Sequence, residues 1–73
     1  MKIKIGDKIR ANHNREGFIS DINIGITTTD IAGELGVSVK EYDTELNYYG
    51  SVSYVTDSND CYWSYFHQIK ERI

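Results

Sequence analysis

Three residues decide whether this 73-residue chain can carry nucleophilic or metal chemistry: Cys61, its only cysteine, and its two histidines, His13 and His67. A cysteine nucleophile needs a neighbour that lowers its thiol pKa, usually a histidine or another cation. His67 is the histidine nearest Cys61 in sequence, six residues on, about 20 Å away in extended chain. Catalysis by this pair is therefore not expected, and Cys61 reads as a small core or rim residue. Neither histidine has a companion at ligand spacing, so no metal site is expected. Asp57-Ser58-Asn59-Asp60 lacks the length and the terminal bidentate glutamate of a calcium loop and reads as a hairpin turn. These residues assemble no nucleophile, base and oxyanion donor, so a protein without enzymatic activity or cofactor is expected.

The aromatic residues stand above background. Tyr42, Tyr48, Tyr49, Tyr54, Tyr62, Trp63 and Tyr65 all fall in the second half of the chain. A small domain cannot bury seven rings together with their polar tips, so some must face outward. Exposed tyrosine and tryptophan give a recognition surface large rigid contact area at little entropic cost. Tyr48, Tyr49, Tyr54 and Trp63 are the expected partner-binding residues, rimmed by Asp43, Glu45 and Asp57. Such a patch suits a protein partner with basic or proline-rich segments. The ordinary alternative is that the tyrosines are strand formers with wet hydroxyls.

Charge is unevenly distributed. Residues 1–15 carry five cations (Lys2, Lys4, Lys8, Arg10, Arg15) against Asp7 alone, whereas residues 16–69 carry nine carboxylates against Lys40 alone. The formal net charge is −3. If the first and last strands lie side by side, the basic chain ends gather on one sector of the surface. Duplex DNA requires phosphate neutralisation, and the acidic, tyrosine-rich half opposes it. A protein partner is expected instead.

The elements that must position these residues are short and strand-like. A chain of this length buries only about 60% of the surface its unfolded form exposes, which leaves one thin core and one domain over residues 1–73. A lone cysteine excludes an intramolecular disulfide, and no run approaches the roughly 18 apolar residues of a membrane span. MKIKIGDKIR lacks the apolar stretch of a signal peptide, so a cytoplasmic protein beginning at Met1 is expected. Ile3, Ile5, Ile9 and Ala11 alternate with basic residues around a bend at Gly6. NHNREG (12–17) reads as a loop. Phe18, Ile22, Ile24 and Ile26 recur at even spacing as a strand, and Leu35, Val37 and Val39 as another. Residues 41–50 read as a polar stretch ending in a turn glycine. Ser51–Thr56 and Cys61–Phe66 are the fourth and fifth strands. In the last, Cys61, Trp63 and Tyr65 share one face and Tyr62, Ser64 and Phe66 the other. The tail 67–73 reads as one helical turn and a closing pair. The expected core is Ile3, Ile5, Ile9, Phe18, Ile22, Val37, Val39, Val52 and Ile69. Five short strands in so small a chain point to an all-β, closed or nearly closed five-stranded barrel, since closure removes exposed edges.

Four segments carry a resemblance: IKIGDKIR, EGFISDI, GVSVKEYD and CYWSYFHQIKERI. Together they resemble the small SH3-like barrels encoded singly in bacteriophage genomes and, more loosely, barrel modules of the KOW and Tudor type. The resemblance covers most of the chain apart from 27–34 and implies a phage accessory protein in the bacterial cytoplasm. A second resemblance competes with it. TTTDIAGELGVSVKEYDTELN, in the stretch 27–47, looks like the helix-turn-helix of bacterial repressors, with Asp30, Ile31 and Ala32 on the first helix and Tyr42 and Leu46 on the recognition helix. Against that winged-helix alternative, the recognition helix would present Glu41, Asp43 and Glu45 with only Lys40 to offset them. Gly33 inside the first helix would cost about 1 kcal/mol. The preceding FISDINIGITT is β-branched where a packing helix would be required.

The sequence thus predicts a non-enzymatic barrel module that binds a protein. Two alternatives remain: a nucleic-acid-binding domain, using the basic amino-terminal strand or the helix-turn-helix at 28–47, and an acidic inhibitor of a host nucleic-acid enzyme.

Overall fold

The computed structural model describes residues 1–24, 28–31, 41–46 and 49–73, with 28–31 as backbone alone. All regular structure among them is strand or short 3-10 turn, so the fold is all-β. The strands are β1 (Lys2–Ile3), β2 (Lys8–Arg10), β3 (Glu16–Ile24), β4 (Thr28–Ile31), β5 (Tyr42–Asp43), β6 (Ser51–Val55), β7 (Cys61–Tyr65) and β8 (Glu71–Arg72). One antiparallel sheet runs β7-β6-β3-β2-β8, with β4 on the later half of β3, and β1 pairs separately with β5.

The bend predicted at Gly6 separates β1 from β2. Gly6 has φ +92°, a conformation that costs glycine little. The Asp7 carboxylate closes the turn by accepting from the Lys4 amide at 3.0 Å. Beyond the bend, Gly6 N–H donates to the Ile19 carbonyl and Ile19 N–H to the Asp7 carbonyl, both at 2.9 Å, which extends the β2–β3 pairing. The loop read at 12–17 is a 3-10 turn over Asn12–Asn14, and β3 begins already at Glu16.

β3 holds the largest departure from the sequence-based pattern. Its pairing with β6 slips between Ile19 and Asp21: Ile19 faces Tyr54 and Asp21 faces Ser53, leaving Ser20 as an extra residue. This is a β-bulge, and it inverts side-chain parity along the strand. Gly17 and Ile19 are buried before it and Ile22 after it, while Phe18 is 49% exposed. Phe18 is therefore not a core residue, because simple alternation back from Ile22 crosses the bulge and reads the wrong face. The Ser20 hydroxyl, which donates to the Ser53 carbonyl at 3.2 Å, pins the bulge to β6.

The core comprises Ile3, Ile9, Ala11, Ile19, Ile22, Tyr42, Val52, Tyr54, Phe66 and Ile69, with Ile5, Ile24 and Tyr62 packed against it. Five predicted members, Ile3, Ile9, Ile22, Val52 and Ile69, are buried, and Ile5 is partly so. Val37 and Val39 lie outside the described residues, as does the whole of the strand read at Leu35, Val37 and Val39. Tyr42 corrects the polar reading of 41–50: it sits on β5 opposite Ile3 and is nearly fully buried. The β1–β5 pair is fastened by Thr44, whose amide (2.9 Å) and hydroxyl (3.2 Å) donate to the Met1 carbonyl. In the helix-turn-helix alternative, Asp30, Ile31 and Tyr42 would be helical. They lie on β4 and β5, and Leu46 stands exposed in the turn that follows β5.

The chain ends meet as expected. β8 pairs with β2, setting Arg72 opposite Ile9 and Glu71 opposite Arg10. The 3-10 turn Phe66–Gln68 leads into it, with Tyr65 N–H donating to the Gln68 side chain at 2.9 Å. Phe66 fills the space beside Gly50, where any Cβ would collide with the ring.

Candidate aromatic interaction surface

β7, which pairs with β6, alternates between a buried and an exposed face. Ser64 and Phe66 are buried, and Tyr62 lies partly buried against the core, so Cys61, Trp63 and Tyr65 project from the opposite face. Trp63 is 58% exposed and Tyr65 44%. Their rings meet edge to face with centroids 4.9 Å apart, and Tyr65 in turn stacks on His67 at 5.5 Å and 13°. Three rings from alternate residues thus form a continuous exposed ridge along β7 into the following turn. Edge-to-face and stacked pairs hold their rings in place, so the ridge is ordered in advance of any contact.

The strands beside β7 complete the face. Ser51 lies opposite Tyr65, Ser53 opposite Trp63 and Val55 opposite Cys61. One strand further, Asn23 lies opposite Ser51, Asp21 opposite Ser53 and Phe18 opposite Val55. Three cross-strand rows result: Asn23-Ser51-Tyr65, Asp21-Ser53-Trp63 and Phe18-Val55-Cys61. The middle strand contributes only small side chains to the first two rows, so the aromatic ridge stands above a serine floor. At the third row Phe18 lies under the Lys8 ammonium, 5.6 Å from its ring centroid. The β6–β7 turn beyond that row adds the exposed Asp57 and Asp60.

The four predicted partner-binding residues separate. Trp63 belongs to the ridge. Tyr49 is 85% exposed, just ahead of β6. Tyr48 lies outside the described residues. Tyr54 corrects the expectation that its ring faces outward: it is 0% exposed, opposite Ile19 on the inner face. Its ring lies 6.1 Å from that of Tyr62, and the Arg15 guanidinium caps Tyr62 at 4.2 Å. The Ser64 hydroxyl is 3.4 Å from the Tyr54 hydroxyl and 2.7 Å from Asn12 Oδ1, so the buried phenol has a polar partner. Parity could have found this, because Tyr54 shares its face with Val52 and both pair with inward residues. Tyr65, which was not singled out, replaces it on the surface, and the 61/63/65 alternation already contained that signal.

Cys61 is a free, exposed thiol at the end of the ridge, and no group of three or more metal-ligating side chains occurs among the described residues. The basic chain ends gather around β2 and β8 but are interleaved with acids. Arg10 bonds Glu16 (Nη2 to Oε2, 2.8 Å; Nε to Oε2, 3.0 Å) and pairs with Glu71 at 3.1 Å. Lys8 approaches Glu16 at 4.0 Å and Arg72 approaches Asp7 at 3.9 Å. The hydrogen bond from Arg10 holds the Glu16 carboxyl below its ordinary value, against partial desolvation and with help from the charges of Arg10 and Lys8. The same bond, followed by the charges of Glu71 and Glu16, raises the Arg10 value. Among the described residues no helix is long and apolar enough to cross a membrane. Comparison of the chain with protein-family models, with curated proteins and with solved structures gives no match.

Proposed function

We propose that the chain is an SH3-like barrel that acts as a non-enzymatic binding module and takes a protein partner on the outer face of β7. The observation that carries this reading is the exposed ridge Trp63-Tyr65-His67, whose rings are already packed edge to face and stacked. Large exposed rings fixed in place are the usual energetic centres of protein interfaces. The barrel reading is supported by the β3–β6–β7 meander and by the return of the tail through a 3-10 turn to pair with β2. A phage accessory role rests on the sequence resemblance.

The carboxylates interleaved with Arg10 and Arg72 weigh against the basic strand as a nucleic-acid surface, since they offset the positive charge that phosphate contacts require. Selection of extended peptides from a display library on the immobilised protein tests the reading, with the Trp63→Ala/Tyr65→Ala double variant as the control. Selected peptides should lose at least about tenfold in affinity for the double variant, as expected when hot-spot rings are removed. Peptides that bind both proteins equally, or a selection that yields none, refute it.

A further inference from the structure

The bulge at Ser20 has a consequence for the ridge. Without an extra residue in β3, alternation would carry Ser20 rather than Asp21 on the outer face opposite β6. With it, Asp21 occupies the row of Ser53 and Trp63. Bulges commonly re-aim a side chain beside a functional site.

We propose that Asp21, Ser53 and Trp63 form a subsite for one arginine side chain of the partner peptide, an inference that rests on the protein-binding reading above and specifies its chemistry. Asp21 and Trp63 stand two strands apart, about 9–10 Å between backbones, with only the serine side chain between them. Asp21 is partly buried, and among the described residues no cation pairs with its carboxylate. The exposed Asp57 and Asp60, in the turn beyond the third row, add to the negative potential. A planar guanidinium matches both walls at once, stacking on the indole while donating to the carboxylate. An ammonium offers no plane to stack, and a neutral urea group offers no charge. The Ser53 hydroxyl lies between the walls as a further acceptor.

The test uses the full chain, labelled with ¹⁵N, titrated with N-acetyl-arginine methylamide and with the lysine and citrulline analogues. Arginine should shift the Trp63 indole N–H and the Asp21 and Ser53 amides, lysine should do so more weakly, and citrulline should leave them in place. Asp21→Asn should weaken the arginine response at least about tenfold, the size of one lost charge-assisted bond, while its spectrum reports that the fold is kept. Trp63→Leu, which leaves the carboxylate in place, should weaken it as well. Equal responses to arginine and citrulline, no response, or a response unchanged in Asp21→Asn would overturn the subsite. So would a single-stranded oligonucleotide or an oligosaccharide that shifts the same signals more strongly than arginine. The two proposals fail separately. Peptides that need Trp63 and Tyr65 but ignore Asp21→Asn remove only the arginine subsite, whereas a display selection without binders removes the binding-module reading itself.

Discussion

Replacing Ile19 and Phe18 in parallel by alanine tests the bulge, on which the assignment of both faces of β3 depends. Ile19 is 2% exposed, opposite Tyr54 within the core, and its truncation removes well-packed methyl groups with little chance of collapse across the sheet. The cost should be about 2–5 kcal/mol. A domain of this length commonly has only about 4–11 kcal/mol in total. Even the lower figure should reduce Tm by about 8–16 °C. Phe18 is half exposed, and its described ring contact is with the Lys8 ammonium at 5.6 Å, so its truncation should cost no more than about 1 kcal/mol. Urea titrations of the two variants, checked by thermal unfolding followed by circular dichroism, measure the difference directly. A simple alternating strand predicts the opposite order. If Phe18→Ala destabilises as much as Ile19→Ala, the register slip at Ser20 is wrong and with it the row that unites Asp21 and Trp63.

Three further outcomes are expected. Trp63 fluorescence should be red-shifted and readily quenched by acrylamide, and a blue-shifted, quencher-resistant spectrum would place the ring inside. Because Glu16 titrates below its ordinary value when folded, its contribution to stability is full above the unfolded carboxyl value and is lost as pH falls through the folded one. The urea midpoint of the wild type should therefore converge on that of Glu16→Gln at acidic pH and exceed it at neutral pH, and a constant gap would contradict the pairing. Gly50→Ala should destabilise by about 1–3 kcal/mol, since its Cβ would enter the Phe66 ring, and an unchanged Tm would show that Phe66 does not fill that space.

Much of the architecture was legible along the chain because it depends on local chemistry. The bend at Gly6, the Asp57–Asp60 turn, the alternation of β7 and the helical turn before β8 each follow from neighbouring residues: a glycine that tolerates positive φ, a polar cluster with nothing to bury, apolar side chains two apart. The pairing of the chain ends was legible for a similar reason, since a short all-β domain must cover its edges. The outward place of Phe18 and the burial of Tyr42 were decided only in three dimensions. Phe18 faces outward and Ile19 inward, against the alternation counted back from Ile22, because Ser20 is an extra residue in the pairing with β6, and no local pattern marks that slip. Tyr54 follows the inward parity of Val52, and Ser64 on the neighbouring strand supplies a polar partner for its hydroxyl. Tyr42 is buried because β1 offers it a strand to pair with. Apolar periodicity encodes which residues can be inside, whereas strand register and pairing determine which of them are. The aromatic ridge stood in the sequence as alternate residues of one strand, and its pairing with Asp21 came only from the fold.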